Sequence, residues 1–420
     1  MKEEKKDKVI KLNNKVKKAN IKKNKDEVKQ EEQKNKMPSK SKKILIISSV
    51  SIIALIIIVL TVLYLSSENA REFMDKYFFG KNISEENAEV IEIENENSTS
   101  IIGNSKTIGV LTNNSLKQYS VSGRLESELN IEINSPIYDY DDRYLAIGQK
   151  DGNKAYLIRD SRIVWEKEVE GNISKVSVNK NGYTSFILTG TSYKTVIDLF
   201  DPEGNKLSRI YLGKTIAVDS SISSDNKYLA FAEISTSSTS TKSNVKVISI
   251  EKATTEESSE AVTYTYEVPD SALAINLKYS DNGKLVCMFN DSIQVIENNT
   301  PKKIIDLTEN NNISFAGIDL SESAFKATEE SSGLFSANTK VEIVNINNEK
   351  KNVYTVKNVA KSVQTYKNVI ALNLGTEIEF IDTNGWLIKR YNSSSELKDI
   401  ILGDGLAGVV YKDKIEIINL

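Results

Sequence analysis

Apolar residues along this chain fall into two patterns. One is a single block, Ile44 to Leu65, in which ILIISSVSIIALIIIVLTVLYL runs for twenty-two residues without a charge. The other is a series of short apolar runs: Ile108–Leu111, Leu145–Ile147, Thr184–Leu188, Leu229–Ala232, Leu285–Phe289, Phe325–Ala327, Val369–Leu372 and Leu406–Val410. Their starts lie 37 to 56 residues apart, which gives eight units of about 42 residues. The first pattern predicts one long helix and the second predicts a repeat protein built of strands.

Each unit repeats its punctuation. Before the apolar run stands a pair of turn residues: Asp141-Asp142, Asn181-Gly182, Asp225-Asn226, Asn282-Gly283 or Asp404-Gly405. These residue types accept the positive φ of a tight, primed hairpin turn. After the run comes a second turn, as at Asn113-Asn114, Asp151-Gly152 and Asn290-Asp291. An alternating strand follows, such as Lys246–Ile250, Ile293–Ile296, Val341–Val344 or Ile415–Ile418, and then a Gly turn at Ser122-Gly123, Asp201–Gly204 or Asp382–Gly385. The unit is therefore a four-stranded antiparallel meander. Its second strand is apolar at nearly every position, so both of its faces must be covered, and stacked propeller blades provide that cover.

The expected fold is thus all-β, an eight-bladed propeller over 99–420, preceded by one transmembrane α-helix and a disordered basic tail. The last unit ends after its third strand. Val90–Glu94, within an alternating piece near 89–94, is positioned in sequence to supply the fourth and remove an open edge. Seven blades is the alternative, because the 315–346 unit is degenerate and the first unit is short.

Charge orients the parts. Residues 1–43 hold seventeen Lys, no Arg and seven acids, a net charge of +10. With the whole chain at −3, residues 44–420 are left with −13. At about 1.5 Å per residue, the 44–65 helix spans roughly 33 Å, against about 30 Å of bilayer hydrocarbon. A cleavable signal peptide is disfavoured, because the block exceeds the usual ~7–15 apolar residues and Leu65-Ser-Ser-Glu-Asn-Ala70 is a poor cleavage site. Lys40, Lys42 and Lys43 abut the block, which places the N-terminus in the cytoplasm and the C-terminal domain outside the cell membrane. The 1–43 tail is expected to contact membrane lipid; without Arg or aromatic residues it is not read as binding nucleic acid. Residues 66–98 read as a juxtamembrane helix, with Phe73, Met74, Tyr77 and Phe78 at its apolar positions, followed by a spacer.

Candidate chemistry is sparse. The chain has no His, which removes Ser-His-Asp and Cys-His catalysis, and its single cysteine, Cys287, lies within an apolar run and is expected in the core. No catalytic, cofactor-binding or metal-binding residues are assigned, and no cofactor is expected. Asp139, Asp141 and Asp142 could act as a hard-cation cluster, but Asp141-Asp142 falls where other units place a turn, and the turn reading is preferred. Asp382–Trp386 departs from the Asp-box spacing of sialidase-type propellers and reads as a β-turn. Ser235–Ser243 and Glu251–Glu260 are expected to be mobile solvated loops, and Tyr264 and Tyr266 are either partner anchors or ordinary strand aromatics.

Ala155–Trp165, Val196–Leu207 and Glu379–Leu387 resemble the strand, Asp-x-x-Gly, strand pattern of the PQQ-like and WD40-like bacterial propeller superfamily. The layout of basic tail, anchor and acidic propeller is similar to single-pass Gram-positive envelope proteins of unassigned function. The resemblance implies fold and place. The expected function is a non-catalytic binding or scaffold module for a protein or cell-envelope polymer; a transmembrane transducer and a propeller enzyme are the alternatives.

Overall fold

The computed structural model describes residues 39–66, 70–71, 73–74, 78, 88–93 and 99–420, the last range without 236–240, 256–259, 270–271, 309–311, 334–335 and 394. The chain divides into two compact units, Met1–Phe79 and Gly80–Leu420.

In the first unit, helix α1 spans Ser39–Ser66, twenty-eight residues. It begins five residues before the apolar block, so 39–43, read from sequence as tail, are helical, and 1–38 lie outside the described residues. Two of its polar side chains turn back on the helix: the Thr61 hydroxyl donates to the Ile57 carbonyl at 2.7 Å and Ser66 to Val62 at 2.7 Å. That bond lets a hydroxyl sit in an apolar helix without an unmet donor. The Arg71 guanidinium donates to the end carbonyls of Tyr64 at 3.0 Å and Leu65 at 3.4 Å, closing the C-terminus as a cation should. The Phe78 N–H donates to the Met74 carbonyl, with the Phe73 and Phe78 rings exposed and 6.4 Å apart; Tyr77 lies outside the described residues. Within α1, side chains are described at 47–48 and from 50 onward. Among the residues so described, no helix is long and apolar enough to cross a membrane.

The second unit is a ring of eight four-stranded antiparallel sheets. Blades 1 to 7 occupy 100–130, 136–168, 172–212, 215–267, 274–306, 313–356 and 362–392, each running in chain order from inner to outer strand. Every apolar run from the sequence is a second strand. Thr107–Leu111 and Leu406–Val410 are buried at all five positions, as a strand covered on both faces must be, whereas the outer strand Val262–Glu267 alternates half-buried and exposed. The core lies between blades. Ile187, Ile197 and Leu199 of blade 3 pack with Leu229, Phe231 and Ile248 of blade 4, and Cys287 is fully buried between blades 4 and 5.

Blade 8 joins the two ends of the domain. Asp399–Gly403, Leu406–Val410 and Lys414–Asn419 supply three strands, and Glu89–Glu92 adds the outer one, pairing Ile91 with Ile415 and Glu92 with Lys414. The 315–346 unit completes a full sheet as blade 6, which settles the number at eight.

The turn residues sit where the pattern placed them, with φ of +50° at Asp142, +86° at Gly182, +61° at Asn226, +82° at Gly283 and +76° at Gly405. The hairpin at 179–183 is not of the primed type, however. The Gly182 N–H donates to the Asn179 carbonyl and the Asn179 N–H to Tyr183, a type I turn closed by one left-handed residue, so only Gly182 needs positive φ.

Two further expectations are corrected. Within Glu251–Glu260, residues 251–255 are helical rather than loop, as helix α2 (Ile250–Thr255); Ile250 and Ala253, one turn apart, bury against the core of blades 3 and 4. Ser243, at the end of the Ser235–Ser243 insertion, is a buried strand residue whose hydroxyl accepts the Ala274 N–H of blade 5 at 3.1 Å. Of the two readings open for Tyr264 and Tyr266, the structure favours ordinary strand aromatics: both pack onto the blade 4 and 5 core, with Tyr266 6.1 Å from the Phe289 ring.

Candidate functional site at the channel mouth

An inner strand has one face on its neighbours and one on the central channel, so it tolerates polar residues that second strands exclude. Pro136–Asp141 of blade 2 is half-buried throughout, and presents Tyr138, Asp139, Tyr140 and Asp141. Two adjoining cavities open there, of about 170 and 310 Å³, sharing Asp139, Tyr140, Asp141, Lys278, Tyr279 and Asp319 in their walls. The deeper one adds Lys175, Ser177, Asp219 and Ser221. The outer one adds the turn residues Asp142, Lys180, Asp281 and Lys367 together with Tyr366. The mouth therefore opens on the side where the first and third hairpins of each blade end.

Most of the polar groups in the wall hold one blade to the next. Asp139 Oδ2 accepts the Val178 N–H of blade 3 at 2.8 Å. Ser177 Oγ donates to the Ser220 carbonyl of blade 4 at 2.7 Å. Asp219 Oδ2 accepts the Leu277 N–H of blade 5 at 2.8 Å, while Oδ1 meets Lys175 Nζ at 3.1 Å. Ser221 Oγ accepts the Tyr279 N–H at 2.9 Å, and Lys278 donates to the Asp319 carbonyl at 2.8 Å. Across the ring, the Tyr140 hydroxyl donates to the Leu402 carbonyl of blade 8 at 2.9 Å, and its ring lies 5.1 Å from that of Tyr366. The Tyr366 hydroxyl is itself buried without a hydrogen-bond partner.

The electrostatics follow from crowding acids in a recess. Burial pushes the Asp139 carboxyl up to about 7, with the Val178 N–H and Lys278 opposing and Asp141 adding to the rise. Burial also raises Asp141 and Asp219, the latter against the pull of Lys175. For Lys175, burial lowers the ammonium, but Asp219, joined by Asp139 and Asp319, opposes it and the net direction is upward. Tyr138, Tyr140 and Tyr366 are all raised, chiefly by burial, and remain neutral donors.

Turn chemistry accounts for Asp142 alone. Asp139 and Asp141 are inner-strand residues in the cavity wall, so of the pair Asp141-Asp142 read as a turn only Asp142 is one. Among the described residues no group of three or more acids, Cys or His is placed to hold a metal ion. Asp382 is a turn residue as expected: its Oδ1 accepts the N–H groups of Asn384 and Trp386, both at 2.9 Å. The sequence reading missed Tyr138, Tyr140, Lys175, Asp219, Lys278, Asp319 and Tyr366. Their signal was a polar or aromatic position in the first strand of a unit, or just after it for Asp319, which looks the same whether it faces a channel or bulk water. What the arrangement offers is a rigid, recessed, charged surface: the hydroxyls of Ser177 and Ser221 are occupied in blade-to-blade bonds, and the carboxylates sit beside lysines and backbone amides.

Comparison with solved structures places the fold. The C-terminal WD40 domain of Sif2 superposes with a TM-score of 0.55 at 11% identity, covering 79% of this chain and 99% of that one. Sqt1 from Chaetomium thermophilum matches with a TM-score of 0.51 at 9% identity, over 79% and 98% of the two chains. BamB from Moraxella catarrhalis covers the same shares at 12% identity with a TM-score of 0.47. At such identities the likeness is one of fold. No curated protein matches the sequence. A family model does match, over residues 128–420, from the end of blade 1 to the last residue, and the chain belongs to that family, described as "Family of unknown function (DUF5711)".

Proposed function

We propose that the protein is a membrane-anchored, extracytoplasmic propeller that binds a protein or a cell-envelope polymer on the face carrying the channel mouth, and performs no chemistry of its own. The observation that carries this reading is the mouth itself. Its acids, lysines and tyrosines form a preorganised recess in which the directional groups already serve as inter-blade bonds, an arrangement suited to presenting a fixed charge pattern rather than to moving protons or electrons.

The anchor rests on sequence and charge. Twenty-two uncharged residues within a twenty-eight-residue helix follow a +10 segment and precede a −13 remainder. A Lys-rich segment beside anionic lipid gains about 1 kcal/mol per nearby lysine, which supports an inward N-terminus. In cells stripped of their wall, added protease is expected to digest the propeller and spare the 1–43 segment; a protected propeller overturns the topology. Photo-crosslinking from Lys180, Asp281 and Lys367 in the native envelope should capture one protein or polymer repeatedly. Crosslinking only from blade edges, or turnover of a small substrate by the purified protein, overturns the binding reading.

A further inference from the structure

Only seven of the fifty-five basic residues of this chain are arginine, and three of the seven, Arg143, Arg159 and Arg162, meet at one end of blade 2. They line an open groove of about 620 Å³ together with Asp160, Ser161, Ile163 and Val164. The groove lies on the side of the ring where the first and third hairpins end, the side of the channel mouth. A fourth arginine, Arg124, occupies the third hairpin of blade 1, on the same side, with its side chain 77% exposed.

The groove breaks a rule of strand pairing. Arg159 and Arg162 are direct cross-strand partners flanking the two-residue turn Asp160-Ser161. Like charges in that position repel and destabilise a hairpin, so the pair opposes local stability. Its one internal compensation is Asp160, held at φ +54°. Arg143 grips that carboxylate with both ends of its fork, Nε to Oδ1 at 2.8 Å and Nη2 to Oδ2. The bond to Arg143 keeps the Asp160 carboxyl below its usual range, and the charges of Arg143, Arg159 and Arg162 add to that. The turn is also pinned from behind: the Asp160 N–H donates to the Arg143 carbonyl at 2.9 Å, and the buried Gln118 of blade 1 donates to the Asp160 carbonyl at 3.2 Å.

Asp160 is thus spent on Arg143, and two forks remain. Arg159 has its guanidinium over the Tyr144 ring, 5.6 Å from the centroid, and Arg162 makes no hydrogen bond or ion pair among the described residues. Three guanidinium charges against one carboxylate leave the groove at +2, in a domain that is otherwise strongly acidic. We infer that this groove is a binding site for a phosphodiester group, held between the forks of Arg159 and Arg162. One carboxylate is already held in the plane of the Arg143 fork; the two non-ester oxygens of a tetrahedral phosphodiester can each meet a fork from a different side, a directional geometry that guanidinium matches better than the point charge of an ammonium. In a chain that otherwise uses lysine, that requirement accounts for the arginines. The inference stands on blade 2 alone and does not depend on the anchor or on the channel mouth.

The test is calorimetric titration of the full-length protein in neutral-detergent micelles with a soluble, phosphodiester-linked glycerol phosphate oligomer. Saturable binding is expected, and the double variant Arg159→Gln, Arg162→Gln should weaken it by at least about tenfold, as loss of two charged hydrogen-bonded contacts implies. Arg159→Lys with Arg162→Lys, which keeps the charge and removes the forks, should also weaken it and keeps the test decisive if the Gln pair misfolds; Lys227→Gln on blade 4 should change it less than twofold. Doping the micelles with phosphatidylglycerol distinguishes the two sources of the group: competition by the lipid assigns the site to a headgroup, and unchanged oligomer affinity assigns it to a soluble or wall-borne polymer. Absence of saturable binding, equal affinity in the Gln and Lys pairs and the unaltered protein, or equally tight binding of an oligoglutamate of matched charge overturns the inference.

Discussion

Ring closure by Glu89–Glu92 has a sharp consequence at two adjacent residues. Ile91 is 6% exposed and packs with Ile108, Val110, Leu406, Ile415 and Ile417, whereas Val90 is 50% exposed on the other face of the same strand. Ile91→Ala removes three carbons from that cluster, about 2.4 kcal/mol at ~0.8 kcal/mol per buried carbon. An edge strand can relax into part of the void, so the total should fall near the low end of the usual range, about 2–3 kcal/mol. Val90→Ala should cost less than about 0.5 kcal/mol, since it removes surface that is already wet. In a domain of this size the larger figure shifts the melting temperature only by about 3–4 °C, because unfolding entropy scales with length. Urea unfolding at fixed temperature is therefore the better assay, with a lowered midpoint and unchanged slope expected for Ile91→Ala. A slip of one residue in the pairing would exchange the two faces. Equal costs for the two variants, or a larger cost for Val90→Ala, would refute the closure as described.

Three further outcomes can be checked on the same protein. Asp219→Ala strips Lys175 of its partner and the Leu277 N–H of its acceptor, and should cost about 1–3 kcal/mol in urea unfolding, with Asp219→Asn costing less because it still accepts the amide. Asp139 titrates near 7 in the folded chain and near its ordinary 3.8 when unfolded, so the folded state holds the proton more tightly; that contribution to stability is full below about pH 4 and is lost as pH rises through about 7. Asp139→Asn should accordingly gain on the unaltered protein between about pH 5 and pH 8 in parallel unfolding curves, and a constant difference across that range would contradict the buried carboxyl. Gly182 and Gly283 share φ near +80°, but a Cβ at Gly182 would lie 2.6 Å from the Tyr144 ring whereas one at Gly283 meets nothing within 4 Å. Gly283→Ala should cost about 1–2 kcal/mol from backbone strain alone, and Gly182→Ala measurably more by the same unfolding assay.

Much of the fold was legible because propeller blades impose rules that leave marks in sequence. A strand covered on both faces must be apolar throughout, as Leu406–Val410 is, and left-handed turn positions must be Gly, Asn or Asp, as at Gly182, Asn226 and Asp142. The closing strand was legible through the alternation of Ile91 and Ile93 with Glu92 and Glu94, together with a last unit one strand short. Other features carried no such mark. Ile250 and Ala253 are a single i, i+3 pair inside a Thr- and Glu-rich stretch, too short a period to distinguish a six-residue helix from a loop. The channel residues were illegible for a different reason. Asp139, Asp219 and Asp319 look like solvated strand or turn acids until the ring brings six blades together around one recess.

That ring is not uniform, and its asymmetry bears on where a ligand can be read. Neither cavity has a wall residue from blade 1 or blade 8; between them they draw on blades 2 to 7. Where blades 8 and 1 meet, the inner strands are Asp399–Gly403 and Ser100–Asn104, and Ile401 and Ile101 from them pack in one cluster with Leu406, Ile108 and Val110 of the second strands. Blades 2 to 5 are instead joined in the channel by directional bonds, Asp139 to Val178, Ser177 to Ser220 and Asp219 to Leu277. The division has a physical logic. Blade 8 has to be completed by a strand from the far end of the domain, and apolar contacts, being non-directional, tolerate the small misalignments of such a join. Directional bonds need partners fixed in advance, which blades formed from consecutive hairpins provide. Fixed dipoles and charges able to specify a ligand therefore concentrate on the arc away from the closure. Blade 2 begins that arc, and it carries both the Asp139–Asp141 wall of the channel and the arginine groove at its rim.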